Sequence, residues 1–153
     1  MTTEEKLADL GITLPTPTAP VANYIPHCRT GNLVSISGQI PMGPDGPTHL
    51  GTIGAERTLE DGIAAARICG INIIAQIKDA CDGDLARVKR IVKLGGFVNC
   101  VQGFTDQPKV INGASDLMVE VFGVIGRHSR SAVGVPGLPL GVTVEIDALV
   151  EIE

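Results

Sequence analysis

The amino-acid sequence predicts an α+β domain in which a mixed sheet is covered on one face by two helices. Three observations carry that expectation. The C-terminal run TVEIDALVEIE places Val144, Ile146, Ala148, Val150 and Ile152 on one side and Thr143, Glu145, Asp147, Glu151 and Glu153 on the other, broken only by Leu149. That two-residue period is the mark of a strand with one buried face. Between Glu56 and Asp82, the positions Leu59, Ile63, Ala66, Gly70, Ile73, Ile77 and Cys81 recur at steps of three and four, the spacing of a long amphipathic helix. The remaining signals alternate in type along the chain, with no internal repeat.

Taken in order, MTTEEKLADLG opens on a capped helix with Glu4 and Glu5 in its first turn and heads an arm over residues 1–20. It has no apolar h-region, so it reads as part of a cytoplasmic chain and not as a secretion signal. LVSIS, Leu33 to Ser37, alternates as a strand, with Ser37 and Gly38 at its end, and GQIPMGPDGP supplies the loop that follows. Val88 to Val101 reads as a strand bent or bulged at Gly95–Gly96, and a second helix runs on from Ser115, with Asn112 as its N-cap. RHSRSAVGVPGLPLG then carries Arg130 at the mouth of a strand-like run interrupted by glycine and proline. Two helices cover one face of such a sheet, so the other faces water or another subunit, and homo-oligomerisation is expected.

A chain of 153 residues fits one domain over 1–153, and 44% hydrophobic with 19% charged residues is a globular balance. No apolar run approaches the ~18 residues of a membrane span. Cys28, Cys69, Cys81 and Cys100 are scattered, with no CxxC pair and no histidine at zinc-site spacing, so they read as reduced thiols and no metal is expected. A net charge of −5 with 3% aromatic residues is a poor footprint for phosphate backbones or stacked bases, which argues against a nucleic-acid partner. HExxH, GxSxG, Walker and GxGxxG patterns are all absent, which removes the parts of the commonest hydrolases and nucleotide-binding folds.

The polar candidates are few. Arg130 is either a solvated group or an anion clamp, since a planar guanidinium matches a carboxylate through two parallel hydrogen bonds. His27, His49 and His128 stand alone in the sequence, and only His128, two residues before Arg130, has a bearing on it. Tyr24 reads first as a packing residue and Glu145 as a solvated carboxylate on the polar face of the last strand.

Together, SGQIP at 37–41, the Arg130-Ser131 pair with Val133, the Leu138-Pro139 turn and VTVEIDALV at 142–150 resemble the signature segments of the RidA/YjgF/YER057c/UK114 family of enamine/imine deaminases. The likeness spans about Tyr24 to Glu153. It implies a chorismate-mutase-like fold and a homotrimer whose sheets line a central barrel, with active sites in clefts between subunits. It further implies that Arg130 holds the substrate carboxylate, that Glu145 holds the attacking water, and that Ser37, Gly38, Tyr24 and Asn112 line the pocket. No cofactor is implied. Ala132 takes the place of a pocket-lining cysteine in the archetypal members, and the N-terminal arm and the Cys100–Val110 region are longer. Two functions compete on this reading: hydrolysis of 2-aminoacrylate-like enamines and imines, and non-catalytic sensing of a small carboxylate metabolite by the same cleft. A ribonuclease role is disfavoured by charge and composition.

Overall fold

The computed structural model describes residues 1–17 and 23–153; positions 18–20 of the predicted arm lie outside the described residues. Its elements are α1 (Thr3–Asp9), β1 (His27–Thr30), β2 (Leu33–Gln39), β3 (Met42–Gly43), β4 (Gly46–Pro47), α2 (Leu59–Ala80), β5 (Val88–Asn99), α3 (Gln107–Phe122), β6 (Ser129–Val135) and β7 (Val144–Ile152). The five long strands form one sheet in the order β1-β2-β7-β5-β6, and β3 and β4 form a separate small hairpin within the loop after β2. Only β5 and β6 run parallel; β1–β2, β2–β7 and β5–β7 are antiparallel. The sheet is therefore mixed, and α3 is the crossover that a parallel β5–β6 pair requires.

Local chemistry explains the two long helices. Thr58 caps α2, its hydroxyl accepting from the Asp61 amide while the Asp61 carboxylate accepts from the Thr58 amide, the reciprocal box that satisfies two orphan donors. Ala65, Ala66, Cys69, Gly70, Ile73, Ile74 and Ile77 are buried along its inner face. The second helix begins at Gln107, eight residues before the predicted Ser115, with Pro108 in its first turn where the missing amide costs nothing. Asn112 therefore does not cap this helix. It lies within it, because Gly113 and Asn112, both weak helix formers, masked a stretch whose burial against α2 outweighs propensity.

The two helices pack through small residues. A methyl group added at Gly113 would overlap the Ile63 carbonyl oxygen, and one at Gly70 would lie 2.9 Å from Leu117 Cδ2. Beneath them sit Val34, Ile36, Ile91, Leu94, Val98, Val144, Ile146, Val150 and Ile152, all buried. The opposite face of the sheet carries Ser35, Glu145, Asp147, Leu149 and Glu151, which no described element covers.

Two further expectations need correction. Thr143 does not belong to the solvated side of the last strand: it is fully buried, at 0% exposure, and its hydroxyl donates to the Gly51 carbonyl at 3.0 Å, so the alternation starts only at Val144. Gly95 and Gly96 form no bulge, pairing in register with Asp147 and Ile146 and with Ser131 and Ala132. The register of β5 shifts instead at Val88/Arg90 and Ile91/Lys93. The glycines are needed for clearance, since side chains there would overlap Asp147 and Ile111. No helix among the described residues is long and apolar enough to cross a membrane.

Gly113→Ala tests the helix contact. Helix propensity alone favours alanine by about 1 kcal/mol, whereas overpacking against a backbone carbonyl costs about 1–3 kcal/mol. We expect a net loss of stability in urea denaturation with an unchanged m-value; a gain would show that α2 and α3 are not in close contact at this point.

Candidate functional site

Arg130 lies on the edge strand β6, opposite the buried Leu94 of β5. Its guanidinium lies against α3. Nη1 donates to Asn112 Oδ1 at 2.8 Å and to Ser115 Oγ at 3.1 Å; three residues apart, these two side chains share a helix face. Ser115 in turn shares a hydrogen bond of 2.9 Å with His128 Nε2, and His128 Nδ1 lies 2.6 Å from the Gly126 carbonyl oxygen. Among the described residues no carboxylate pairs with Arg130. Ala132, two residues on, packs partly buried against the core from the same side of the strand.

A second group gathers at the other side of the sheet. The pairing of β2 with β7 slips by one residue between Ile36 and Gln39, so Ser37 and Gly38 form a bulge. The Ser37 amide and hydroxyl each donate at 2.8 Å, to the carbonyls of Pro26 and Ile25, and so pin the segment that presents Tyr24. Tyr24 stands 59% exposed and, with Ser37 and Gly38, lines a cleft of about 970 Å³ between the arm, the β2–β3 connection and α2.

Glu145, half-buried on β7, lies over Gly38 so closely that any side chain at 38 would overlap its carboxylate. Burial raises its pKa above the usual glutamate range, and the negative charge of Asp147 raises it further. Asp147 is itself raised by burial, opposed by the Gly95 backbone and by Lys93. No hydrogen bond or ion pair satisfies the Glu145 carboxylate among the described residues.

Of the residues singled out in the sequence, Arg130, Asn112 and Ala132 come together at one edge, and Tyr24, Ser37 and Gly38 line the cleft beside α2, while Glu145 packs on Gly38 from the uncovered face of the sheet and is not part of that cleft's lining. One chain does not join the two groups. Arg130 pairs with Leu94 and Leu94 with Ala148, three residues along β7 from Glu145; at about 4.8 Å per strand and 3.3 Å per residue their Cα atoms lie about 14 Å apart. Their side chains also leave opposite faces, since Arg130 reaches the helices and Glu145 alternates with the helix-facing Val144 and Ile146.

Sequence reasoning missed Ser115, because it read the residue as the start of a helix, and also Asn72 and Gln76. Asn72 Nδ2 donates to the Ile40 and Met42 carbonyls at 3.0 and 3.2 Å and so holds the connection after Gly38. The signal was present in INIIAQI, where two amides four residues apart interrupt an apolar helix face. No group of three or more His, Cys, Asp or Glu among the described residues could hold a metal ion.

Comparison with known proteins follows the same outline. The sequence model of the family described as "YjgF/chorismate_mutase-like, putative endoribonuclease" matches residues 4–152. Protein TCP17 of Trypanosoma cruzi is 49% identical over 147 residues, covering 95% of this chain and 91% of that protein. The crystal structure of an Agrobacterium tumefaciens protein of unknown function superposes with a TM-score of 0.93 at 45% identity, covering 99% of this chain and 94% of the other. A Shewanella oneidensis MR-1 protein named as a putative endoribonuclease superposes with a TM-score of 0.94 at 38% identity, covering 99% of this chain and all 100% of that one.

The electrostatics of Glu145 are open to measurement. Asp147→Asn removes the like charge but leaves the burial, so the Glu145 titration followed by carboxyl NMR should move down and remain above the ordinary glutamate range. An unmoved midpoint would show that the two carboxylates do not interact. Because the folded chain retains a proton at Glu145 that the unfolded chain has released, this group subtracts stability as pH rises from the ordinary glutamate range through its raised folded pKa. Glu145→Gln should flatten that part of the pH–stability curve.

Proposed function

The chain belongs to the YjgF/chorismate-mutase-like family, and from that premise we propose that it is a cofactor-independent deaminase. Its substrates would be reactive enamines and imines of the 2-aminoacrylate kind, hydrolysed to 2-oxo acids and ammonia in a site shared between neighbouring subunits of a homotrimer. The observation that carries this reading is Arg130: it is held in place by Asn112 and Ser115 but not neutralised by any carboxylate among the described residues. A surface arginine with no function needs no such mounting, whereas a substrate carboxylate needs a fork of fixed orientation.

The chemistry demands little of the protein. 2-Aminoacrylate tautomerises to the imine by moving a proton from nitrogen to its terminal carbon. Water then adds across C=N, one proton going to nitrogen, and the resulting carbinolamine expels ammonia as its hydroxyl becomes the new carbonyl. Glu145 would hold the water and take and return its proton. A carboxyl with a raised pKa suits both directions better than an ordinary one. No protein nucleophile, metal or cofactor is called for, so Ala132 in the place of a cysteine leaves these steps intact.

The separation of Arg130 from Glu145 favours a shared site. The β6 edge carries Arg130 and exposes Val133 at 47%, while the uncovered sheet face carries Glu145; docking the edge of one subunit on the face of the next would unite the two groups and cover both surfaces. Nucleic acid fits this surface less well, since the uncovered face presents Glu145, Asp147 and Glu151 and the chain carries a net charge of −5.

Two outcomes are expected. Sedimentation equilibrium at micromolar concentration should give a trimer; a monomer would leave Arg130 and Glu145 apart and remove the site. With 2-aminoacrylate generated in situ, the protein should accelerate pyruvate formation, and Arg130→Lys should keep the trimer while losing at least about tenfold in turnover, because a point charge cannot reproduce the bidentate fork. A wild-type trimer that binds pyruvate without accelerating its formation would identify a carboxylate sensor instead.

A further inference from the structure

We infer that Ser115 and His128 form a positioning relay that sets the plane of the Arg130 guanidinium, so that a ligand carboxylate is received side-on by Nε and Nη2. This rests on the reading of Arg130 as a carboxylate clamp and adds to it two residues that act only through the arginine.

The direction of each hydrogen bond follows from its partners. The Gly126 carbonyl can only accept, so His128 Nδ1, 2.6 Å away, carries a hydrogen and donates it. In the neutral ring Nε2 is then an acceptor, and the group 2.9 Å from it is the Ser115 hydroxyl, which donates. That leaves the oxygen lone pairs of Ser115 to accept from Arg130 Nη1 at 3.1 Å. Every donor thus points the same way, from Arg130 through Ser115 and His128 to the backbone. The opposite polarity, with Nε2 donating, would put a second cation against the oxygen that already accepts from Arg130 and leave the serine proton without an acceptor in the network.

The consequence falls on Arg130. A serine hydroxyl within a helix ordinarily rotates, and its usual alternative acceptor is the carbonyl four residues back. His128 removes that freedom by holding the proton. With Asn112 accepting at 2.8 Å as well, both hydrogens of Nη1 are engaged, and two acceptors on one nitrogen fix the guanidinium plane. Nε and Nη2 then remain as a parallel pair of donors, the edge that grips a carboxylate in two bonds.

His128 is anchored by geometry independent of Arg130. Gly126, whose carbonyl holds the ring, sits where a side chain would overlap the Met118 backbone. His128 also lines a separate cleft of about 360 Å³ with Arg90, Val92, Arg127 and Ser129, none of which is an acidic residue that could draw the imidazole away.

The test compares Ser115→Ala, His128→Ala, their double variant, His128→Gln and Arg130→Ala in the full-length trimer. Turnover is measured with 2-aminoacrylate generated in situ, affinity by calorimetry with pyruvate, and folding by thermal melting. Each single relay variant should lower turnover about tenfold with a melting temperature within about 2 °C of wild type, and the double variant should lose no more than either alone, since the pair acts as one unit. His128→Gln, which can place an amide oxygen near the Nε2 position, should recover part of what His128→Ala loses.

Wild-type turnover and affinity in Ser115→Ala and His128→Ala, beside an inactive Arg130→Ala, would overturn the relay and leave the clamp standing. Wild-type turnover and affinity in Arg130→Ala would overturn both. Losses that multiply in the double variant and track a falling melting temperature would reduce Ser115 and His128 to structural residues and likewise overturn the relay.

Discussion

Helices α2 and α3 meet at Gly113, where the Ile63 carbonyl leaves no room for a methyl group, and the rest of the molecule depends on how closely they meet. Two helices can bury one face of a five-stranded sheet only if they lie side by side without a gap, and small residues at the contact permit that approach. The same contact sets the rotation of α3 about its axis. With Gly113, Ala114, Leu117 and Met118 turned inward, Asn112 and Ser115 are left on the flank that meets β6 and Arg130. The Arg130 guanidinium is therefore oriented by core packing at one remove, and a packing fault would be felt there.

The second constraint is the uncovered face of the sheet. A carboxylate resting over a glycine bulge, with a second carboxylate two residues away, is an expensive arrangement in a chain that had only to fold. Burial and like charge both raise the pKa of Glu145, and no donor among the described residues offsets them. Burial plus a specific like charge is the environment that the proposed water-holding role of Glu145 would use. Gly38 is what makes it possible, since the carboxylate occupies the volume that any other residue would fill.

Much of this was legible in the sequence, because periodicity survives wherever one face is buried and the other is not. The alternation of β7 and the three-and-four spacing of α2 each led to the right element on the right face. What failed has a common cause. Asn112 was taken for a cap, Gly95–Gly96 for a bulge and Thr143 for a solvated residue, each from the local preference of its residue type. In each case a partner distant in sequence decides: packing against α2 for the stretch that contains Asn112, Asp147 and Ile111 for the glycines, Gly51 for Thr143. The site was only partly readable for the same reason. Arg130 and Glu145 could be named from the motifs that contain them, but Ser115 meets Arg130 and His128 only when α3 is laid against β6.

The dimensions of the cleft bear on selectivity. At about 970 Å³, with Ile68, Ile71, Met42 and Leu14 among its walls, it lies at the upper end of the volumes typical of small-molecule sites, and a three-carbon imino acid would occupy a small part of it. Volume within one subunit thus cannot select a small substrate. If the proposed site is shared, selection falls to what closes the cleft: the edge of a neighbouring subunit carrying Arg130, and Tyr24 at the rim, which is exposed in the single chain. Ala132 lies two residues from Arg130 on the same side of β6, so in the proposed site the volume at that position would set how near a substrate side chain approaches the arginine. A small residue there would widen the range of acceptable side chains without touching the two groups proposed to hold the carboxylate and the water. On the proposed reading, divergence at position 132 would therefore change substrate range more than reaction.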